Sequence, residues 1–156
     1  MKMSLLRDKV AIITGGASGI GYATSELFAE NGACVVIVDI NEEEGVRAAN
    51  LIRGKAKVDC IFIRADVTSE RDVRNAVDQV VEKYQRIDIL VNNAGIYFGS
   101  RLRPVWDVEV NEFDRMISVN LKGSFLFIKY VTPYMVKQKS GVIINITSEL
   151  ATRGLP

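Results

Sequence analysis

Residues 9–21 read Lys9-Val10-Ala11-Ile12-Ile13-Thr14-Gly15-Gly16-Ala17-Ser18-Gly19-Ile20-Gly21, or KVAIITGGASGIG. Residues 10–13 are apolar and largely β-branched, which predicts a buried strand. Glycines at 15, 19 and 21 follow, and a helix is expected to open near Ile20. A glycine accepts positive φ and lets the backbone approach a ligand with no Cβ in the way. Backbone N–H groups at the helix start, around Ser18, Gly19, Ile20 and Gly21, then face outward. Together with the helix dipole they favour a pyrophosphate. The order strand, glycine turn, helix gives such a turn its meaning. The Gly-Lys-Ser/Thr ending of a triphosphate-binding loop is absent, which disfavours ATP or GTP.

Outward from this stretch the chain alternates. Residues 20–31 carry apolar Ile20, Ala23, Leu27 and Phe28 at helical spacing, with Asn31-Gly32 as a C-cap. Residues 33–38 form a second apolar run. Residues 42–53 read as a charged helix that Gly54 ends. Residues 58–64 are a third strand. Residues 70–84 are a helix with Val73, Ala76, Val77, Val80 and Val81 at helical spacing. Residues 88–91 are a fourth strand, residues 92–107 a loop, residues 110–139 a long amphipathic segment and residues 142–146 a fifth strand.

Strands apolar on both faces and separated by helices predict an α/β fold with a parallel, doubly wound, Rossmann-like sheet of five strands. The whole of residues 1–156 reads as one dinucleotide-binding domain. The chain stops at Pro156, soon after a fifth strand that would lie at a sheet edge. Natural sheets usually cover or charge such an edge. The domain is therefore expected to be incomplete at its C-terminus.

Composition excludes several function classes. Of 156 residues, 48% are apolar and 25% charged, and the formal net charge is +1. That pattern points to a globular protein without the electrostatic footprint of a nucleic-acid or anionic-membrane binder. No apolar run reaches the length of a membrane span and no signal peptide opens the chain, so a cytoplasmic location is expected. There is no histidine, which removes Ser-His-Asp and Cys-His catalysis from this chain. Cys34 and Cys60 each sit in an apolar run and read as small core residues of a reducing compartment, with no metal site expected.

Asp39 closes the second strand, some two dozen residues after Gly15. An acidic residue near that spacing accepts hydrogen bonds from adenosine ribose hydroxyls and repels a 2′-phosphate. No Arg or Lys lies in residues 15–21 or 39–44 to hold such a phosphate. NAD is favoured over NADP. Asp39 can also cap the following helix together with Asn41, and the two roles are compatible.

Six features in order resemble the short-chain dehydrogenase/reductase family. They are Thr14-Gly15-x-x-x-Gly19-x-Gly21, Asp39, Asp66-Val67, Asn92-Asn93-Ala94-Gly95, Asn120 within Ser118-Val119-Asn120-Leu121, and Gly141-x-Ile143-Ile144-Asn145-Ile146-Thr147-Ser148. The resemblance covers nearly the whole chain. It implies that Asp66 and Val67 meet the adenine ring, although Asp66 also reads as a helix-start carboxylate near Thr68. It implies that Asn93 lies near the cofactor ribose, with Ala94 and Gly95 letting the backbone pass close, although the motif also reads as a turn that stabilises the sheet, a use the resemblance equally implies. It implies that Asn120, at a helix irregularity, holds a water of a proton relay through its backbone carbonyl. Ser148, at the carboxyl end of the fifth strand, matches the serine that hydrogen-bonds the substrate oxygen; Thr147 is its neighbour and competitor by position.

The resemblance also implies a small-molecule alcohol or ketone substrate, and a homo-dimer or homo-tetramer in the complete protein. One part of its pattern is absent. The family's acid/base is Tyr-x-x-x-Lys, and none of Tyr22, Tyr84, Tyr97, Tyr130 and Tyr134 is followed four residues on by lysine. Two expectations therefore stand. In one, the parent protein is an NAD-dependent oxidoreductase that passes hydride between nicotinamide and a secondary alcohol or ketone, and this chain is its cofactor-binding portion. In the other, the chain is an inactive dinucleotide-binding module with a regulatory or scaffold role. Tyr97, Phe98 and Trp106 are expected at a wall of the substrate pocket or as core cover.

Overall fold

The computed structural model describes residues 4–97 and 104–148. A strand β1 (Val10–Thr14) leads through the glycine turn into α1 (Gly19–Glu30), then β2 (Cys34–Asp39), α2 (Glu42–Ala56), β3 (Cys60–Arg64), α3 (Glu70–Tyr84) and β4 (Ile89–Asn92). A short 3-10 turn (Val105–Asp107) precedes one long helical run: α4 (Val110–Met116), a widened π stretch (Ile117–Gly123) and α5 (Ser124–Gln138). Strand β5 (Val142–Asn145) follows.

All strand pairs are parallel and the order is β3-β2-β1-β4-β5. The doubly wound sheet expected from the sequence is thus formed, with its order reversing between β1 and β4. The alternation of side chains along each strand splits the core in two. Val10, Ile12, Val36, Val38 and Leu90 pack under α3 and α5 with Val73, Val77, Leu126 and Phe127. Ala11, Ile13, Val35, Ile37 and Val91 pack under α1 and α2 with Ala29, Ala48, Ala49 and Ile52. Cys60 belongs to the second core and Cys34 borders the first, so the thiols lie on opposite faces of the sheet and both are free.

Strand β5 lies at the edge, as its place in the sequence led one to expect, and Val142 and Ile144 are exposed. No described helix is long and apolar enough to cross a membrane. The chain's last residues and Phe98 lie outside the described residues.

Two local expectations are corrected. Ile20, Ala23 and Leu27 do not form the buried stripe of α1; they are exposed, and Gly21, Ser25 and Ala29 are buried instead. Small residues at that spacing bring the helix close to the sheet, and a large side chain there would hold it off. Gly54 does not end α2. The helix runs on to Ala56, and Lys57 closes it in the left-handed conformation at φ 57°. One glycine in an exposed helix costs only about 1 kcal/mol, and here the surrounding packing overrides it.

Candidate dinucleotide site

The carboxyl ends of β1, β2, β3 and β4 converge where the sheet order reverses, the place where open α/β sheets bind ligands. A groove of about 520 Å³ opens there. Gly15 and Ser18 line it from the glycine turn, Asp39 and Ile40 from the end of β2, Asp66, Val67 and Thr68 from the end of β3, and Asn93, Ala94 and Gly95 from the end of β4. These are eight of the residues singled out in the sequence, together with Ile40 and Thr68. Gly19, Ile20, Gly21, Asn120 and Ser148 do not line it.

The turn owes its shape to two glycines. Gly15 has φ +62°, and a Cβ there would lie 2.9 Å from the Ala94 Cα. Gly21 would bring a Cβ to 2.1 Å from the Gly15 carbonyl oxygen and 2.5 Å from Asn93 Nδ2. At the start of α1, Ser18 makes no side-chain capping bond and no acidic side chain occupies the first turn. Helices α2 and α3 differ: Asn41 and Ser69 accept from Glu44 N and Asp72 N, and both first turns are acidic. Among these three helices, only α1 leaves its orphan amides to an outside acceptor.

Asp39 braces the other side. Its Oδ2 accepts from the Ala17 N–H at 3.2 Å and its Oδ1 from the Asn41 N–H at 3.1 Å. Each oxygen keeps a lone pair for a further donor. Asn41 caps α2, and Asp39 supports that helix start through the Asn41 N–H while it holds the glycine turn and lines the groove. Asp66 is used locally as well: its Oδ1 accepts from both the N–H and the hydroxyl of Thr68 at 2.8 Å.

Asn93 takes the sheet-stabilising role that the sequence also allowed its motif. Its Nδ2 donates to the carbonyls of Thr14 at 3.0 Å and Gly15 at 3.1 Å. Thr14 Oγ1 answers by accepting from the N–H groups of Asn93 and Ala94, both at 3.0 Å. The side chain of Asn93 therefore staples β4 to the glycine turn. Asn120 makes a similar clamp. Its Oδ1 accepts from Ile96 N at 2.8 Å and its Nδ2 donates to Ile96 O at 2.9 Å, tying the π stretch to the loop after β4. The Asn120 carbonyl accepts from the Ser124 hydroxyl at 3.2 Å.

Ser148 and Thr147 are exposed beyond the carboxyl end of β5. Tyr97 and Trp106 are exposed as well, at 62% and 82%, so neither covers the core. Ile96, Arg115, Ser118 and Val119 also line the groove; none was named as a site residue from the sequence, although Ser118 and Val119 belong to the Ser118-Val119-Asn120-Leu121 motif. They arrive from the helical run and the loop facing it, and no local motif marks Ile96 or Arg115. Among the described residues, no group of three or more Cys, Asp or Glu side chains is placed to hold a metal ion. Cys60 is no nucleophile, since burial pushes its thiol up to about 12.

Comparison with known proteins agrees with this architecture. Residues 9–156 match the model of the short chain dehydrogenase family. The chain is 51% identical over 148 residues to tropinone reductase-like 1 of Erythroxylum coca, which covers 94% of this chain and 53% of that protein. It is 40% identical over 144 residues to xanthoxin dehydrogenase of Arabidopsis thaliana, covering 92% of this chain and 50% of that one. Among solved structures, NAD+-bound xylitol dehydrogenase superimposes with a TM-score of 0.91 at 34% identity, covering 97% of this chain and 57% of that one. Levodione reductase does so with 0.90, also at 34% identity, covering 96% and 58%. The chain spans about half the length of the curated relatives it matches. On its sequence motifs, its sheet order and these matches, the chain belongs to the short-chain dehydrogenase family of oxidoreductases.

Proposed function

We propose that the groove binds NAD in preference to NADP, and that the parent protein passes a hydride between the nicotinamide and a secondary alcohol or ketone. The observation that carries the cofactor choice is Asp39, a carboxylate braced by two backbone amides at the edge of a groove next to uncapped helix amides. The residues present suit a dinucleotide. The space a Cβ on Gly15 would fill is left to the backbone. The first-turn amides of α1 supply donors for a pyrophosphate. Asp39 supplies acceptors for ribose hydroxyls and repels a 2′-phosphate. Asp66 and Val67 line the end of the groove suited to the adenine. The NAD+ in the structure of the similar xylitol dehydrogenase adds support.

The bound nicotinamide supplies the hydride chemistry. This chain's residues bind and orient. The Asn93–Thr14 staple holds the turn in the φ that a phosphate needs, and Asn120 fixes the loop that carries Ile96. The Ser148 hydroxyl, at the carboxyl end of β5, donates to a substrate oxygen and stabilises charge developing there. Proton transfer needs a group this chain does not carry, since no Tyr-x-x-x-Lys occurs in it. The 156-residue chain alone is therefore expected to bind the dinucleotide without turning it over. The test compares two products. The whole coding sequence should reduce NAD+ with secondary alcohols and lose most activity as Ser148→Ala, while the 156-residue chain binds NAD+ and yields no NADH. NADP+ preference in the whole product, or turnover by the short chain, would contradict the proposal.

A further inference from the structure

A second groove adjoins the first. Ala17, Ser18 and Gly19 face Glu44, Arg47 and Leu51 of α2 across about 390 Å³. Ser18 lines both grooves. Ala17, whose N–H holds Asp39 Oδ2, lines the second. The two spaces therefore meet beside Asp39. A Cβ on Gly19 would meet nothing within 4 Å, so the Gly19 side of this junction is open. The carboxylate that would receive ribose hydroxyls therefore stands beside this second space.

Arg47 is the only cation among the residues lining the second groove. Its guanidinium pairs with the carboxylate of Glu44, three residues earlier on the same helix. Glu44 is the third carboxylate in the first turn of α2, after Glu42 and Glu43. A guanidinium fork binds a carboxylate or a phosphate with the same N–H groups, so the two compete for it.

We infer that Glu44 is a specificity-determining residue of this site. By pairing with Arg47 it withholds the adjoining groove's cation from a 2′-phosphate, and so reinforces Asp39 in rejecting 2′-phosphorylated dinucleotides. The inference rests on the NAD reading above. The pair is exposed, with side-chain accessibilities of 67% for Arg47 and 38% for Glu44. Its effect is therefore moderate and sensitive to salt.

The experiment titrates the intact 156-residue chain with NAD+ and NADP+ at low ionic strength, as wild type, Glu44→Gln, Arg47→Gln and the double variant. Glutamine is a good helix former, and thermal unfolding checks that each variant is folded. Glu44→Gln should raise NADP+ affinity about two- to fivefold and leave NAD+ unchanged within error. The gain should vanish in the double variant and shrink in high salt. Unchanged NADP+ affinity in Glu44→Gln, an equal gain for NAD+, or a gain that survives in the double variant each overturn the inference while leaving the NAD reading intact. A wild-type chain that binds no NAD+ overturns that reading, and this inference with it.

Discussion

Replacing Asn93 by alanine is the perturbation whose cost the structure lets one work out most fully. The carboxamide makes two hydrogen bonds, 3.0 Å to the Thr14 carbonyl and 3.1 Å to the Gly15 carbonyl. Each is part-buried. A typical net hydrogen bond contributes about 0.5–1.5 kcal/mol, and a buried acceptor left without a donor costs more. Two lost bonds give a destabilisation of about 2–3 kcal/mol, less if a water enters the space. For a chain of this size that lowers Tm by roughly 4–10 °C. The bonds from the Asn93 and Ala94 N–H groups to Thr14 Oγ1 survive, so β4 stays paired with β1. The damage is confined to the glycine turn, where Gly15 sits at φ +62°. Urea unfolding should therefore show a lower midpoint with an unchanged slope. NAD+ affinity, measured alongside, should fall about tenfold, because an ordering cost of roughly 1.4 kcal/mol moves into the binding step. Asn93→Asp keeps the shape but sets a carboxylate against two carbonyl oxygens, and should be at least as harmful. A loss under about 0.5 kcal/mol with unchanged NAD+ affinity would refute the staple as the source of the turn's geometry.

Two further outcomes follow from other residues. Gly21→Ala places a Cβ 2.1 Å from the Gly15 carbonyl oxygen, so the turn must shift; NAD+ titration should show a loss of tenfold or more in a protein that circular dichroism finds folded. At the opposite, amino end of the sheet, Asp88 accepts from Val10 N at 2.9 Å and takes two bonds from Arg86, with Lys9 at 3.7 Å. Burial pushes its carboxyl up, but the Arg86 bonds, the Val10 N–H and the charges of Arg86 and Lys9 together outweigh that and hold it below the ordinary carboxylate range. A depressed carboxyl stabilises the fold above the unfolded-state value near 3.8 and loses that contribution as pH falls through its folded value. Acid unfolding of Asp88→Asn should be flatter below that pH than wild type, and less stable than wild type at neutral pH.

Where sequence and structure agree, the signal was local. Helix α3 was readable to its ends because Ser69 caps it and Val73, Ala76, Val77 and Val80 repeat at helical spacing. Strands β1, β2 and β4 were readable because both their faces are buried, and β5 because its apolar run stands out even at the exposed edge. The face of α1 was not, since Ile20 and Leu27 outweigh Gly21, Ser25 and Ala29 by hydrophobicity, while close approach to the sheet selects by size. The groove's glycine turn and Asp39 were legible because the turn directly follows β1 and Asp39 is the last residue of β2. The Asn93–Thr14 staple was not, because it depends on β4 lying beside β1, a neighbour distant in the chain. Arg115 was missed for the same reason: the helical run brings it to the groove from outside any motif, whereas Ser118 and Val119 lie in the motif that carries Asn120.

The most direct test of the dinucleotide site is a map of amide chemical-shift changes as NAD+ is added to this chain. The site described above predicts that the largest changes fall at residues 15–20, 39–40, 66–68 and 93–96, with Asp39→Ala weakening binding and leaving the fold intact. Saturable binding whose changes cluster elsewhere, or no binding at all, would contradict it.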